Sequence, residues 1–350
     1  MASVHPDLVH VLRGGVVESF HRGSVAIVDT DGQLRLALGD IDRPIFPRSA
    51  CKLLQALPLV ASGAADALGL TDAELALACA SHGGEPAHVQ TAASMLAKAG
   101  LDASALECGA HWPYHDDSLK ALARSGQSPS ALHNNCSGKH AGFVCLGCLM
   151  ARQAGRDPQD FIRGYVQPDH PVMREISAAL AAATSVDLGA LPVGTDGCSI
   201  PAHALPLRQL ALGFARAGTG AGLSPAHAQA AARLRQAVAA QPWAVAGSGR
   251  LDTQLMALLG ERVCCKVGAE GVYCAALPGL GLGVALKMDD GNNARAAEVV
   301  MARIVADLLP LADAEQQTLA AHTAVTLRNW KGLEVGRIQA SPVLQQALAA

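Results

Sequence analysis

The two ends of the chain and its middle carry different hydrophobic patterns, and this division constrains the fold most strongly. Short apolar runs with alternating character, bounded by glycine-containing turns, predict strands in both terminal parts. These runs cover residues 8–12, 16–21, 24–29 and 34–38, and then 263–267, 271–277 and 283–288. Neither end has enough strands for a stable sheet of its own, so we expect both to pair in one antiparallel sheet.

The segment between the two ends predicts helices from about residue 50 to about residue 240. One helix is expected after Pro47, with Ser49 as its N-cap and an end or kink at Pro58. Thr71 and Glu74 have the spacing of a capping box and open the next helix. Further helices are expected at 86–98, 142–156, 172–183 and 226–240, and after the last predicted strand at 294–309.

These patterns together predict an α/β (α+β) fold in which a largely helical insertion interrupts an antiparallel sheet. The chain has 350 residues, which is long enough for two globular units. We expect a sheet-containing domain formed by residues 1–48 and 245–350, a mainly helical domain formed by residues 49–244, and an active site at their interface.

Composition narrows the class of protein. A net charge of −3 without a basic block argues against nucleic acid as a partner and favours a small-molecule substrate. The richest apolar stretch, residues 142–150, is about half the length that a membrane span needs. Residues 1–23 lack the pattern of an export signal, so we expect a cytoplasmic protein. Most of the ten cysteines stand in apolar contexts, which is typical of reduced core thiols.

Ser49 and Lys52 form the first candidate catalytic pair. Residues three positions apart on a helix share a face, so the Lys52 amine is expected to reach the Ser49 hydroxyl. A serine needs a base to become a good nucleophile, and a lysine can serve when burial or a nearby cation favours its neutral form. Ser-x-x-Lys also occurs often by chance, as an N-cap serine followed by a solvated lysine.

Two further motifs strengthen this interpretation. Ser81 and His82 precede a glycine pair that lets the backbone approach a ligand, and Lys266 lies on a predicted strand ahead of Gly268. Ser-x-x-Lys, a second serine and a Lys-x-Gly strand are the elements of the serine β-lactamase and penicillin-binding site. The sequence departs from that pattern because it has no Ser-Asp-Asn motif and carries Val267 in place of the usual threonine.

A second polar constellation suggests a metal site. Cys136 lies in the segment 133–140, which also holds two histidines and Lys139, and Cys198 lies in a second polar loop at 195–199. Two thiolates from different loops and one further donor would give a three-ligand zinc site with an open position. Spacing alone favours His133 or His140 as the further donor, and free thiols in turns are the alternative.

Two weaker signals remain. Arg250 follows the glycine-rich turn at 247–249 and is a candidate for binding a substrate carboxylate, although it would equally pair with a surface acid. Cys145 and Cys148 have the spacing of a redox motif but lie in an apolar helical run without the usual strand context.

The motifs as a set resemble the rhizobial-type (class 3, asparaginase II) L-asparaginase family. They span residues 46–271, and with the β-rich flanks the resemblance covers nearly the whole chain. The motifs that carry it are Phe46-Pro-Arg-Ser49-x-x-Lys52-x-x-Gln-Ala-Leu-Pro, Ser81-His-Gly-Gly, His133-Asn-Asn-Cys-Ser-Gly-Lys-His140, Gly194-Thr-Asp-Gly-Cys198 and Cys265-Lys-Val-Gly-Ala-Glu-Gly271.

The resemblance implies a serine β-lactamase-like fold and an amidohydrolase that converts L-asparagine to L-aspartate and ammonia, as a homodimer. It pairs Ser49 with Lys52 and Ser81 with Lys266 as catalytic groups. It also implies a zinc ion held by Cys136, Lys139 and Cys198, with Asp196 and His140 nearby, and the choice of Lys139 rests on the resemblance alone. The expected substrate-binding residues are Arg48, His82, Asn134, Asn135, Arg250 and Cys265.

The expected mechanism has Ser49 attack the side-chain amide carbon while Lys52 accepts its proton. Repulsion between Lys52 and Lys266 would keep one amine neutral near pH 7, and Ser81 would relay a proton to the departing ammonia. Three alternatives stay open: a penicillin-acylated β-lactamase or peptidase, a zinc-dependent amidohydrolase in which Ser49 only binds substrate, and a non-enzymatic metal or ligand sensor. Which serine is acylated is also open.

Overall fold

The computed structural model describes residues 5–350. Residues 1–4, which begin the expected first domain and the segment searched for an export signal, lie outside the described residues. Twelve strands are present in the described part: β1 (Asp7–Arg13), β2 (Val16–Asp29), β3 (Leu34–Leu38), β4 (Pro44–Ile45), β5 (Val193–Thr195), β6 (Pro201–His203), β7 (Leu205–Pro206), β8 (Cys264–Val267), β9 (Val272–Leu277), β10 (Leu282–Met288), β11 (Ala324–Arg328) and β12 (Glu334–Ala340).

The helices concentrate between the two groups of long strands. They are α1 (Lys52–Gln55), α2 (Leu57–Ala61), α3 (Ala64–Ala67), α4 (Asp72–Ala78), α5 (Pro86–Ala99), α6 (Asp116–Arg124), α7 (Ser137–Gln153), α8 (Pro158–Phe161), α9 (Pro171–Thr184), α10 (Leu207–Thr219), α11 (Pro225–Ala240), α12 (Pro242–Ala246) and α13 (Leu251–Leu259), followed by α14 (Glu298–Leu308), α15 (Asp313–Thr323) and α16 (Pro342–Ala349).

One antiparallel sheet collects strands from both ends of the chain, as the sequence predicts. Its order is β11-β12-β1-β2-β10-β9-β8, and β3 pairs with β2 beside this path. The predicted strands 16–21 and 24–29 form the single strand β2, whose first half pairs with β1 and whose second half pairs with β3 and β10. The mixed α/β architecture is therefore confirmed.

Helix α10 packs closely on the sheet because β10 contributes a glycine at the contact. A Cβ atom at Gly283 would lie 2.0 Å from the Ala211 carbonyl oxygen, so any side chain there would push the helix away. Helix α14 packs against β1, β9 and β12, and its buried face is aliphatic. Within residues 5–350, no helix has both the length and the apolar character needed to span a membrane.

Several local predictions are confirmed and others are wrong. Thr71 caps α4 in a reciprocal capping box with Glu74, and the chain breaks at Ala56 between α1 and α2, just before Pro58. Ser49 is not an N-cap, because it lies inside a 3₁₀ turn over Arg48–Cys51 that leads into α1 without side-chain capping. Helix α7 begins at Ser137 rather than at residue 142, since Gly138 and Gly142 pack against α4 and α2 instead of interrupting the helix.

Candidate active site

Ser49 lies on a strained turn, Arg48–Cys51, which packs against the end of β8. The preceding residue, Arg48, has a φ of 52°, a left-handed conformation that is costly for a side chain of this size. Gly268 lies directly against this turn, where an added Cβ would come within 2.6 Å of the Pro47 carbonyl oxygen. The absence of a side chain at Gly268 therefore lets the end of β8 contact the turn that carries Ser49.

Lys52 is buried, and its amine contacts the second serine. Its Nζ donates to the Ala80 carbonyl oxygen at 2.5 Å, to Ser81 Oγ at 2.9 Å and to Cys136 Sγ at 3.1 Å. The sequence expected the amine to reach Ser49, but within residues 5–350 no hydrogen bond joins these two side chains. The amine is instead directed to partners from other segments of the chain: the Ala80 carbonyl oxygen, Ser81 and Cys136.

Ser81 lies in the loop that follows α4, and a network of histidines holds this loop. Its backbone N–H donates to the Val245 carbonyl oxygen at 2.9 Å. The neighbouring His82 bonds to Ser137 Oγ through Nε2 and accepts the Gly84 N–H at Nδ1, and its ring stacks on His88. Burial holds the pKa of His82 well below its usual value, so the ring is neutral. In this arrangement His82 fixes the Ser81 loop.

Lys266 is also buried, and burial favours the neutral form of its amine. Its Nζ donates to the Val267 carbonyl oxygen at 2.7 Å, and no hydrogen bond joins it to Ser81 within the described chain. Burial lowers the pKa of Lys266 from 10.5 to about 8, with Asp252 opposing this fall and the charges of Lys52 and Arg250 adding to it. A minor fraction of neutral amine is thus present at pH 7.

Cys136, Lys139 and Cys198 form a buried cluster beside Lys52. Lys139 Nζ donates to Cys198 Sγ at 3.0 Å, and Cys136 Sγ accepts from Lys52. A hydrogen bond from Cys198 lowers the pKa of Cys136 well below its usual value, whereas sharing this proton raises that of Cys198. Burial lowers the pKa of Lys139, but the two sulfur atoms outweigh burial, so its pKa is raised. The cluster therefore carries one thiolate and one ammonium.

The donors of this cluster fit a metal only if the lysine takes part. Among residues 5–350 no three His, Cys, Asp or Glu side chains converge on one point. Two sulfur atoms and the Lys139 amine do converge, and these soft and nitrogen donors suit zinc once the amine loses its proton. The histidines that spacing favoured have other partners: His133 Nδ1 accepts the Ser130 N–H at 3.0 Å, and His140 Nδ1 lies 2.6 Å from the Tyr165 hydroxyl.

Arg48 ties the Ser49 turn to the loop that carries Cys198. Its Nε donates to Asp196 Oδ1 at 2.8 Å, and the same carboxylate oxygen accepts the Gly197 N–H at 2.8 Å. Burial alone would raise the pKa of Asp196, but the charges of Lys139 and Arg48 lower it, so the carboxylate is ionised. The guanidinium is therefore already paired, and its expected contact with a substrate carboxylate stays a prediction.

The other expected substrate contacts differ in their availability. Asn134 uses its side chain within the protein, donating to the Cys108 and Gly109 carbonyl oxygens and accepting the Cys136 N–H. Asn135 is partly exposed, and its Oδ1 lies 3.3 Å from His111 Nε2. Cys265 is 1% exposed, with its Sγ 4.0 Å from the Tyr273 hydroxyl.

Arg250 differs from Arg48 because its guanidinium has no hydrogen bond or ion pair within residues 5–350. It is partly buried at the start of α13, and its charge acts on both Lys266 and Glu298. A guanidinium near Lys266 that has no partner within the described residues is suited to a carboxylate ligand. Arg250 is therefore available to bind a substrate carboxylate, whereas Arg48 is paired with Asp196.

The sequence missed three buried polar residues that organise the site. Glu85 accepts both the N–H and the hydroxyl of Ser248 at 2.8 Å, which joins the Ser81 loop to the loop that precedes Arg250. Asp252 accepts the Val267 N–H, and Tyr165 contacts His140. An acid beside Ser-His-Gly-Gly and an acid in an apolar helix start were visible signals for the first two, but Tyr165 gave none.

Comparison with known proteins assigns the chain to a family. A family model described as L-asparaginase II matches residues 9–340 of the 350. A search of curated proteins found no match. The matched region includes both candidate serines, the buried lysines Lys52 and Lys266, and the cysteine cluster. The chain belongs to the L-asparaginase II family and is accordingly an amidohydrolase that acts on asparagine.

Proposed function

We propose that the enzyme hydrolyses L-asparagine to L-aspartate and ammonia by a Ser–Lys nucleophilic mechanism. The family match supports the reaction in general. The observation that carries the mechanism is the buried Lys52 amine, which lies 2.9 Å from Ser81 Oγ and three residues beyond Ser49. A lysine with a serine in direct contact and a second serine on an adjacent strained turn has the components of an acyl-serine enzyme.

Ser49 is the proposed nucleophile, because it is partly exposed and its turn abuts the end of β8. Its Oγ attacks the side-chain amide carbon, and its proton passes to the amine cluster. The amine that accepted this proton returns it to the amide nitrogen, and collapse of the tetrahedral intermediate then breaks the C–N bond, releases ammonia and leaves an aspartyl ester on Ser49. Water then hydrolyses the ester to release aspartate and the free serine.

The neighbouring amines of Lys52 and Lys266 together provide the proposed base. Two ammonium groups repel each other, so loss of one proton relieves the repulsion. Lys266, whose pKa is lowered to about 8 by burial, is the proposed site of this loss. We propose that Ser81, which contacts Lys52, relays protons between Lys52, Lys266 and the departing ammonia. Once one of these two amines is neutral, the pair can accept the proton of Ser49.

Backbone N–H groups near Ser49 and Lys266 are the proposed oxyanion donors. At the end of β8 the Val267 N–H donates to Asp252 and the Gly268 N–H donates to Val272, so both are engaged. The N–H of Ala269, in the turn that follows, is proposed as one donor. The N–H of Ser49 would supply the second donor.

Zinc, when bound, would be held by Cys136, Lys139 and Cys198. It would supply a fixed positive charge for orienting the polar groups of the substrate. Arg250 would bind the α-carboxylate, and Asn135 would line the substrate pocket. The roles first assigned to Arg48, His82, Asn134 and Cys265 become positioning roles in this proposal, because their polar groups already have partners or lie in the core.

The antiparallel sheet from both chain ends, with Lys266 on an edge strand beside a Ser-x-x-Lys turn, supports a serine β-lactamase-like fold. The two-domain division is proposed with the same boundaries as in the sequence analysis. Homodimeric assembly and a cytoplasmic location are likewise proposals, which light scattering of the purified enzyme and cell fractionation would test.

Ammonia release by the purified enzyme tests the function. Asparagine, glutamine and penicillin are compared as substrates, before and after chelation of metal. We expect release from asparagine, retention of measurable turnover after chelation, and loss of turnover in Ser49→Ala. Acylation by penicillin without ammonia release would favour a β-lactamase-like hydrolase. Loss of all turnover on chelation, with Ser49→Ala still active, would favour a zinc-dependent amidohydrolase.

A further inference from the structure

Within the described part of the chain the outer edge of β8 has no neighbouring strand, and a buried carboxylate accepts a hydrogen bond there instead. Asp252 Oδ1 accepts the Val267 N–H at 2.8 Å, and Oδ2 accepts the Tyr273 hydroxyl at 2.9 Å. Without Asp252 the Val267 N–H would be a buried donor without a partner, which is costly. The carboxylate therefore fixes the backbone directly after Lys266.

Asp252 is fully buried, so its carboxylate lies away from water. Its exposure is 0%, and it lies in the first turn of the nine-residue helix α13, where a negative charge is favoured by the helix dipole. A buried carboxylate is costly unless it is paired and hydrogen-bonded. Two hydrogen bonds are present. The ammonium of Lys266 forms no ion pair with Asp252 within residues 5–350, but its charge and that of the carboxylate act on each other through space.

Several charged or titratable groups face Lys266 from the surrounding elements. Asp252 and Cys136 favour its charged form, and Lys52 and Arg250 disfavour it. The nearby thiols of Cys79 and Cys274 are neutral, because burial raises the pKa of each. Arg235 of α11 lies near Cys264, which is on the same strand as Lys266. Asp252 is the only carboxylate among the described groups that act on Lys266.

We infer that Asp252 is a positioning residue for catalysis: it anchors the end of β8 beside the Ser49 turn and compensates the charge of the Lys266 ammonium. The inference rests on the proposed role of Lys266 in the cleft. Gly268 transmits the anchoring, because it lies one residue beyond Val267 and directly against Pro47. Asp252 thus acts on the reaction through Lys266 and the strand, without touching the substrate.

Asp252→Asn separates charge from shape, since an amide oxygen can still accept the Val267 N–H. Without the negative charge the Lys266 ammonium is less favoured, so its pKa is expected to fall by about one further unit. Tyr273→Phe is the matched control, because it removes the other partner of the carboxylate and leaves its charge in place. We expect the pKa of Lys266 in this control to stay close to that of the wild type.

Two readouts separate this inference from the proposed function. The first is an NMR titration of ¹³C-labelled lysine, in which the Lys266 signal is assigned by its loss in Lys266→Arg. The second is the pH dependence of kcat/KM for asparagine, in which the rise with pH is expected to move down with the pKa of Lys266. An unchanged Lys266 titration in Asp252→Asn, or an equal change in Tyr273→Phe, would overturn the inference.

The remaining outcomes are also decisive. A shifted titration with an unmoved rate profile would support the counter-charge but refute the proposed role of Lys266 in catalysis. If Asp252→Asn does not fold, the wild-type titration still tests the inference, because a Lys266 that titrates near pH 5–6, as a lysine buried without a counter-charge does, would overturn it.

Discussion

Gly268→Ala would push apart two parts of the proposed catalytic site, the end of β8 and the turn that carries Ser49. The added Cβ would lie 2.6 Å from the Pro47 carbonyl oxygen, 3.1 Å from Val272 Cβ and 3.2 Å from Ala50 Cβ. Real Cβ contacts essentially never fall under 3.0 Å. The nearest of these three atoms belongs to the backbone and the other two are attached directly to it, so β8 and the Ser49 turn must move apart by roughly half an ångström.

This displacement predicts a loss of both stability and activity. Overpacking in a close-packed core costs about 1–3 kcal/mol, and each kcal/mol lowers Tm by about 2–4 °C. Misplacement of catalytic groups by about 1 Å can cost about a hundredfold in rate, so we expect kcat to fall about tenfold or more. Because the substrate-binding groups are not displaced directly, KM should change much less.

The assay is ammonia release at saturating asparagine, combined with thermal unfolding. Gly279→Ala is the matched control, since Gly279 is exposed and an added Cβ would meet nothing within 4 Å. The control should keep the wild-type kcat and Tm. If Gly268→Ala also retained both values, the contact between β8 and the Ser49 turn would not be what aligns the site.

Four further results are expected. Ser49→Ala should lower kcat at least about a thousandfold, measured by ammonia release, whereas retention of turnover by this variant would contradict its role as nucleophile. The kcat/KM for asparagine should rise as the pH is raised through about 8, because this is where Lys266 loses its proton; a profile that falls over this range would contradict the proposal. The buried charge of Lys266 costs about 3 kcal/mol of stability below pH 8, and this cost should disappear as the pH rises toward 10.5. In urea unfolding the wild type should therefore gain stability relative to Lys266→Met between pH 8 and 10.5, and a difference that does not change with pH would contradict the lowered pKa. Cys198→Ala should lower the zinc content measured by elemental analysis, and an unchanged content would exclude the proposed ligand set.

Much of the fold was predictable because local signals and the global topology agree. The strand Leu34–Leu38 and the capping box at Thr71 follow from alternation and from side-chain chemistry that act within a few residues. The C-terminal hairpin β11–β12 was not predicted. Its strands are mostly half-exposed, and so their hydrophobic alternation is weak.

The candidate residues were predictable by type, but their partners were not. The Ser-x-x-Lys spacing suggested a contact between Ser49 and Lys52, yet Lys52 donates to Ser81, which lies on a different loop. Arg48 was expected to bind substrate, but Asp196, 148 residues further along the chain, is its partner. Such pairings depend on the tertiary packing of distant loops, which the local sequence does not encode.

The most direct test of the acyl-serine mechanism is the identity of the acylated residue. Wild-type enzyme is mixed with asparagine, quenched in acid within the first turnovers, digested and analysed by mass spectrometry. We predict that the peptide containing Ser49 gains one aspartyl group and that Ser49→Ala forms no adduct. An adduct on Ser81, or steady ammonia release with no adduct on either serine when hydrolysis is slowed, would contradict the mechanism.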